Sequence, residues 1–448
     1  MKTPVYFLIG SGGSGMSSIG HIVLDKGFKV YGQDKKSSPQ MDKLIQRGLI
    51  QTKSLESLPE VDFAIYSSAI RKSENPYYLH FQNRGTPLLH RSEIMHRFFS
   101  EISSISVAGS HGKTSTTAMI SEVLLKMNLD PGIMIGGDFP LLNGAGGRWG
   151  KGKWGVYESD ESDGTFLNHQ AEIKILTNID NDHLDFYKSQ SELEKAFLTY
   201  LNPKENGLSI ACLDDPGIEA ISTILDKTKP YLFYSNRHSS SENTIAYKIE
   251  NHEIQFELDQ SIYKLKLPIP GDHFLKNAIA AILALRAIGI HPKDSVSILT
   301  NFSGVGRRLE LLGERSGIRI FDDYGHHPTE IRAVIQSIKG IIGSGKCIVL
   351  FQPHRFTRTR DHFHEFSTAL SLSDYLFLLP IYPAGEDPIE NINSEMIFKN
   401  ISCPGSLLSG EIQNDCKAIR SVMNSGDVIV SLGAGNVRDW AINLLNED

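Results

Sequence analysis

Apolar positions along this chain come in short continuous runs separated by stretches with helical spacing. Residues 5–9, VYFLI, are apolar throughout and stop at GSGGSG, after which Met16, Ile19, Ile22 and Val23 recur on one face of a helix. KVYGQD at 29–34, a helix around 41–47 and a strand over 61–70 continue the alternation. Short apolar strands alternating with amphipathic helices predict a parallel sheet covered on both faces.

The pattern restarts at ISVAG, 105–109. The next helix sets Met119, Ile120, Val123, Leu124 and Met127 on one stripe, and strands follow at 154–158, 172–178 and 208–213. From 244 to 269, three segments alternate apolar and polar residues, which predicts a small antiparallel meander. GDHFLKNAIAAILALRAIGI reads as a long apolar helix. After NFSGVGRRLE, a third series of strands at 318–322, 347–351, 375–379 and 427–432 runs into polar or glycine-containing loops. The expectation is three α/β domains, 1–100, 101–304 and 305–448, with no short-period repeat and no low-complexity linker.

Composition narrows the class. A chain of 448 residues accommodates about two to four domains at roughly 100–200 residues each. With 40% apolar and 22% charged residues, each can bury its own core. A net charge of −7 argues against a non-specific nucleic-acid binder. Cys212, Cys347, Cys403 and Cys416 are scattered without metal-ligand spacing, as isolated thiols in a reducing cytosol would be. MKTPVYFLIGSGG is apolar too briefly for a signal peptide, and Arg286 interrupts the longest apolar run. A cytoplasmic protein without membrane insertion is expected.

The loops carry the chemistry. GSHGKTST follows a strand and enters a helix, the setting of a phosphate-binding loop, although only Ser110 and His111 separate Gly109 from Gly112 where the usual motif has four residues. Backbone amides and the helix N-terminus attract anions, Lys113 can neutralise phosphate oxygens, and the Thr114 hydroxyl is placed for magnesium. Two further segments point the same way. YESDESDGTFL supplies Glu158, Asp160, Glu161 and Asp163, and TNIDNDHLDFY supplies Asp182, His183 and Asp185. Carboxylates after one strand and a histidine after the next can converge on a cation that prefers oxygen ligands.

Gly10, Gly12 and Gly15 satisfy G-x-G-x-x-G, and Asp34 follows the second strand, where an acidic residue can bond a ribose hydroxyl. FDDYGHHPTEI (321–331) and FQPHRFTRTRDHF (351–363) both follow strands, and they bring Asp322, Asp323, Tyr324, His326, His327, His354, Arg355, Arg358 and Arg360 to strand ends. Ligands of open parallel sheets bind outside those ends, and arginine grips carboxylate or phosphate through paired hydrogen bonds. A nicotinamide-dependent oxidoreductase would explain GSGGSG but leave GSHGKTST idle. A nucleotide-gated binding protein would explain both loops but neither the acidic nor the arginine cluster.

Together GSGGSGMS, SSAI, GSHGKTSTT, ESDESDGTFL, TNIDNDHLD, GDHFLKNAIAA, DDYGHHPTE, FQPHRFTRTRD, YPAGE and GAGN resemble the Mur ligase family over nearly the whole chain. DDYGHHPTE with PHRFTRTRD resembles in particular its alanine-adding branch. That resemblance implies a Rossmann-like N-terminal domain holding a UDP-sugar at Gly10, Gly12, Gly13, Gly15, Asp34 and Ser67. It implies a central phosphate-loop ATPase domain and a Rossmann-like C-terminal domain that closes over it. ATP would meet Gly109, Ser110, His111, Gly112, Lys113, Thr114 and Ser115, with Asn277 near the adenine and Arg308 and Asp323 near the nucleotide. Thr114, Glu158 and His183 would ligate Mg2+. Tyr324, His326, Arg355 and Arg358 would serve the sugar-linked carboxylate or the incoming amino acid.

The implied reaction joins L-alanine to the carboxylate of UDP-N-acetylmuramate through an acyl phosphate, catalysed by Lys113, His326, Arg355 and Arg358, with His326 and His327 both open as the group that deprotonates the amine. A monomer or weak homodimer is the expected assembly. Two positions depart from the family pattern: Phe274 stands where asparagine is usual after the histidine of GDH, and Leu198 stands where several sibling ligases carry a carbamylated lysine.

Overall fold

The computed structural model describes residues 3–35, 37–168 and 170–446. They form two compact units, one of residues 1–267 with 274–305 and one of residues 268–273 with 306–448. The first unit carries two sheets and the second carries one.

The first sheet contains β1 (Val5–Ile9), β2 (Lys29–Gln33), β3 (Ile50–Gln51), β4 (Phe63–Tyr66) and β5 (Leu88–His90) in the order β3-β2-β1-β4-β5. All of its pairings are parallel. Its apolar runs are buried from both sides, since Phe7, Leu8, Ile9, Ala64 and Ile65 are fully shielded. The helix Ser14–Asp25 buries Met16, Ile19, Ile22 and Val23, as its spacing predicts. The strand expected over 61–70 is shorter, because Ile70 N–H donates to the Ser67 carbonyl and turns the chain after Tyr66.

The second sheet has ten strands in the order β15-β14-β13-β12-β11-β10-β6-β9-β7-β8. They are β6 (Ser103–Ala108), β7 (Gly132–Phe139), β8 (Ala145–Arg148), β9 (Trp154–Glu158), β10 (Ile173–Leu176), β11 (Leu208–Cys212), β12 (Tyr231–Ser235), β13 (Thr244–Glu250), β14 (Glu253–Leu258) and β15 (Ser261–Leu265). The expected meander is antiparallel, but it is not a separate sheet. Its first strand, β13, pairs in parallel with β12 and extends the large sheet.

A larger correction concerns the helix Lys113–Lys126. The apolar stripe predicts an amphipathic helix, yet Thr114 through Leu124 are buried without a break. The helix packs against β7 and β9 on one side and the helix Pro292–Leu299 on another, so its threonines and serines are interior groups. Thr116 Oγ1 and Ser121 Oγ satisfy themselves on carbonyls one turn back. Leu198, on the helix Gln190–Leu201, packs at the edge of an apolar cluster with Phe166, Leu193, Phe197 and Leu201. Phe274 is buried as well.

In the second unit, β16 (Glu310–Arg315), β17 (Ile318–Asp323), β18 (Cys347–Phe351), β19 (Tyr375–Leu378), β20 (Gly405–Leu407) and β21 (Val428–Leu432) run in the order β16-β17-β21-β18-β19-β20. Only the β16–β17 pairing is antiparallel. The four cysteines are unpaired. Among the described residues, no helix is long and apolar enough to cross a membrane.

Candidate functional site

Strand order explains why three distant loops meet. β6 lies between β10 and β9, all parallel, so the segments leaving their carboxyl ends emerge side by side. The segment after β6 is Gly109–Gly112, the one after β9 begins at Glu158, and the one after β10 leads to His183.

The loop after β6 is held from below. Its backbone bonds to the segment after β10: Ser110 N–H donates to the Asn178 carbonyl (3.2 Å) and His111 N–H to Asn178 Oδ1 (2.8 Å). His111 Nε2 lies 2.9 Å from Asp180 Oδ2, and Asp180 N–H donates to Ser110 Oγ. Gly109 has φ +130° and a Cβ there would meet Thr177 Oγ1 at 2.1 Å, so only glycine fits. Gly112, at φ +83°, starts the helix, and Thr114 and Ser115 follow as buried residues of its first turn. Asn277 packs its side-chain amide against Gly112.

Lys113 folds back over this loop. Its ammonium donates to the carbonyls of Gly109 (2.5 Å) and Ser110 (3.2 Å) and to Glu161 Oε1 (2.8 Å). Burial pushes the Lys113 pKa down, but the charges of Glu161, Asp160 and Glu158 outweigh it and the net shift is upward, so the ammonium stays charged. His183 sits at φ +58° with Nε2 3.6 Å from Glu161 Oε1. Glu158 accepts from Gly136 N–H (2.8 Å). A Cβ on Gly136 would lie 2.9 Å from Glu158 Oε2 and one on Gly137 would lie 3.2 Å from Thr114 Cγ2. Glu158 and Thr114 therefore flank the same dipeptide of β7.

The other carboxylates of ESDESD reach back to the first sheet. Asp160 pairs with Arg91 (2.8 Å); burial would raise its pKa, but Arg91 and Lys113 hold it well below the usual carboxylate range. Asp163 accepts from Ser68 Oγ, which also bonds His90. Arg91 in turn covers Gly15, where a Cβ would meet its guanidinium at 2.5 Å.

The glycine loop after β1 is built around Asp34. Gly12 N–H donates to Asp34 Oδ2 (2.8 Å), and a Cβ on Gly12 would strike Ser38 Oγ and Asp34 Oδ2. Gly10 takes φ +78°, and Gly13 N–H returns to its carbonyl. Ser67 follows β4, the neighbour of β1.

In the second unit, β21 lies between β17 and β18, so DDYGHHP, QPHRFTR and GAGN leave adjacent strand ends. Asp323 is buried, accepts from Leu309 N–H and Gly325 N–H (both 2.7 Å), and burial pushes its pKa up to about 7. Arg307 and Arg308 stack over the Tyr324 ring at 4.9 and 5.5 Å. His326 Nδ1 lies 3.0 Å from the Tyr324 carbonyl, and its ring is 5.8 Å from that of His354. The His327 ring packs edge-on against His362 at 5.4 Å.

His354 stacks on Tyr382 at 5.6 Å; burial and the nearby charges of His326, Arg358 and Arg355 lower its pKa to about 3. Arg355 adopts φ +73° and caps the helix Phe356–Leu370, whose first turn carries Arg358.

Three residues of this second cluster have roles that strand-and-loop reasoning does not find. Arg307 bonds Asp322 (3.3 Å) and the carbonyls of Gly433 and Gly435, tying GAGN to DDYGHHP. Glu386 of YPAGE accepts from Thr357 N–H and Oγ1, fixing the helix start beside the arginines. Tyr382 supplies the stacking face for His354. The arginine doublet and the YPAGE segment were the only visible signals.

Residues 5–102 match the Mur ligase family catalytic domain, 155–285 the Mur ligase middle domain and 307–435 the Mur ligase glutamate ligase domain. The chain is 37% identical over 445 residues to a UDP-N-acetylmuramate–L-alanine ligase of Lawsonia intracellularis, covering 97% of each. It is 35% identical over 468 residues to the enzyme of the same name from Chelativorans sp., covering 100% of this chain and 99% of that protein. In fold it is similar to UDP-N-acetylmuramate-alanine ligase from Thermotoga maritima, with a TM-score of 0.82 at 24% identity, covering 99% of this chain and 98% of the other. It is also similar to a murein peptide ligase from Psychrobacter arcticus, with a TM-score of 0.73 at 21% identity and the same coverage.

Proposed function

We propose the reaction of this chain from one premise: it belongs to the Mur ligase family. It is an ATP-dependent ligase of that family with the family's three-domain α/β architecture. Its reaction, in our reading, is the joining of L-alanine to the carboxylate of UDP-N-acetylmuramate in the cytoplasm, as a step of peptidoglycan precursor synthesis. The observation that carries this reading is the full-length identity, above a third, to curated relatives bearing that name.

The chemistry follows from a poor electrophile. A carboxylate at neutral pH resists attack, so one of its oxygens first takes the γ-phosphoryl group of ATP, releasing ADP. The alanine amine then attacks the acyl carbon, and inorganic phosphate leaves with the bonding pair. Negative charge gathers on phosphoryl oxygens in the first step, so positioned cations are the main requirement.

Residue roles are proposed on the geometry above. Lys113 and the amides at the start of its helix, Gly112–Ser115, take the phosphates, while Gly109, Ser110 and His111 shape the loop and Asn277 supports Gly112 from the adenine side. Thr114 and Glu158 offer oxygens, the ligand type Mg2+ prefers, and His183 adds a nitrogen. When bound there, Mg2+ would spread phosphoryl charge. The family resemblance assigns Asp323 and Arg308 to the nucleotide as well. Gly10, Gly12, Gly13, Gly15, Asp34 and Ser67 form the UDP-sugar site.

Arg355 and Arg358 hold carboxylate. His326, beside Tyr324 and His354, takes the proton of the alanine ammonium.

The test is ADP release requiring UDP-N-acetylmuramate and L-alanine together, with mass spectrometry of the product. Release without the sugar, or with no alanine incorporated, would reject the reading.

A further inference from the structure

An ammonium group has three N–H donors. Those of Lys113 are all engaged, on Gly109 O, Ser110 O and Glu161 Oε1. A phosphate oxygen can reach this ammonium only by taking the place of one of the three.

Two of the partners belong to the loop that would cradle the phosphate. Moving the Gly109 or Ser110 carbonyl would break the backbone bonds of the loop to Asn178. Glu161 comes from a different strand and bonds through its side chain. Its main chain is pinned: the carbonyl accepts from Tyr187 Oη (2.6 Å) and Gly164 N–H (3.0 Å). Its neighbours Asp160 and Asp163 are anchored on Arg91 and on Ser68. The Glu161 carboxylate can therefore swing away by side-chain rotation alone, with the loop left in place.

The resting arrangement also leaves something unsatisfied. Glu161 is 1% exposed, and its Oε2 has no hydrogen-bond partner among the described residues. A buried carboxylate oxygen without a partner is costly, so the pair is held at less than full strength. An arriving phosphate repels the carboxylate, and rotation of the Glu161 side chain lets it withdraw from the ammonium.

We propose that Glu161 is the resting counter-ion of Lys113, displaced when nucleotide phosphate binds. It is a positioning residue: it keeps the lysine folded onto the loop in the empty enzyme and competes with the incoming anion. The inference rests on the reading that Lys113 meets nucleotide phosphate.

The test measures ADP affinity by calorimetry with EDTA present, so that no effect can pass through a metal. Glu161→Gln should bind ADP about tenfold more tightly than the parent, because one charge-assisted hydrogen bond no longer has to be broken. Structural damage would change affinity in the opposite direction. Unchanged or weaker ADP binding, in a variant melting at the parental temperature, overturns the proposal.

The parent protein supplies a second readout, independent of whether the variant folds. In a crystal structure with ADP, Lys113 Nζ and Glu161 Oε1 should lie beyond hydrogen-bond distance, and a retained pair overturns the proposal too. If the parent fails to bind ADP at all, it is the nucleotide reading that falls.

Discussion

Gly112 and Asn277 leave no room for a side chain between them: a Cβ on Gly112 would lie 2.8 Å from Asn277 Oδ1. Gly112 also takes φ +83°, where an L-residue costs about 1–2 kcal/mol on backbone grounds alone. Gly112→Ala is therefore expected to tilt the start of the helix Lys113–Lys126 and weaken ATP binding at least tenfold. Calorimetry with ATP checks this, and parental affinity would show that the contact is not needed to shape the loop.

Glu158 and His183 lie on different strand exits, and each is proposed to supply one donor to Mg2+. Glu158→Gln keeps the shape and an oxygen but removes the charge, and His183→Ala removes the nitrogen. Each should raise the magnesium concentration at half-maximal turnover by about tenfold, while UDP-sugar affinity stays parental. A magnesium titration that overlays the parent's would remove that residue from the metal site.

Arg358 follows the cap residue Arg355 on a helix start that Glu386 fixes through Thr357. Arg358→Lys keeps the charge but loses the planar fork that grips a carboxylate with two hydrogen bonds. Turnover should drop by at least tenfold, with the amino-acid KM raised more than the ATP KM. Near-parental kinetics would mean that charge alone suffices.

Neutral His354 is favoured by the fold. Its pKa is lowered from the ordinary 6.5 to about 3, first by burial and then by the charges of His326, Arg358 and Arg355. A group whose pKa is depressed in the folded state contributes stability above its unfolded value and loses it as pH falls. Stability should therefore decline between about pH 6.5 and pH 3 through this residue. His354→Phe keeps the stack on Tyr382 and replaces a buried Nδ1 that has no partner among the described residues. Urea unfolding at pH 7, 5 and 4 should show a shallower acid decline in the variant, and parallel declines would count against the assignment.

The strands of all three sheets were largely legible because buried parallel strands read as continuous apolar runs, VYFLI and CIVLF among them. Short edge strands such as β3, β5 and β20 carry too few residues for a pattern. β7, β8 and β16 are interrupted by glycine and are not expected from the sequence, and neither is β12 despite its apolar YLFY. The sides of the helix Lys113–Lys126 were misjudged for a different reason: its polar residues are small hydroxyls that bond their own backbone, so burial leaves no mark on their spacing.

For the site, residue types after each strand were visible, but strand order was not. That β6 sits between β9 and β10 is a property of the sheet, and it alone puts Glu161 on Lys113. The same holds for Arg307, whose partners Gly433 and Gly435 lie more than a hundred residues away.

The final prediction concerns the amino acid, where two relatives of similar fold part ways. A UDP-N-acetylmuramate-alanine ligase and a murein peptide ligase both superpose along nearly the whole chain, so fold does not choose between them. Chemistry sets what each must provide. L-Alanine needs an amine site, a carboxylate anchor and space for one methyl group. Around Tyr324, His326 and His354 the second unit offers aromatic faces beside Arg355 and Arg358, which suits a small zwitterion.

A charged peptide needs further basic anchors along a longer channel, and residues 305–448 present no second arginine cluster of the PHRFTRTR kind. Since an apolar pocket discriminates one methylene by only about 1–3 kcal/mol, selectivity against close analogues should be limited. ADP formation should be fastest with L-alanine, weaker with glycine and L-serine by about 10–200-fold, and absent with D-alanine, whose methyl group points away from the pocket when amine and carboxylate are held. Mass spectrometry of the sugar product after competition between L-alanine and a tripeptide decides the matter: peptide addition without alanine addition would sink the substrate assignment while leaving the ATP chemistry at Lys113 intact.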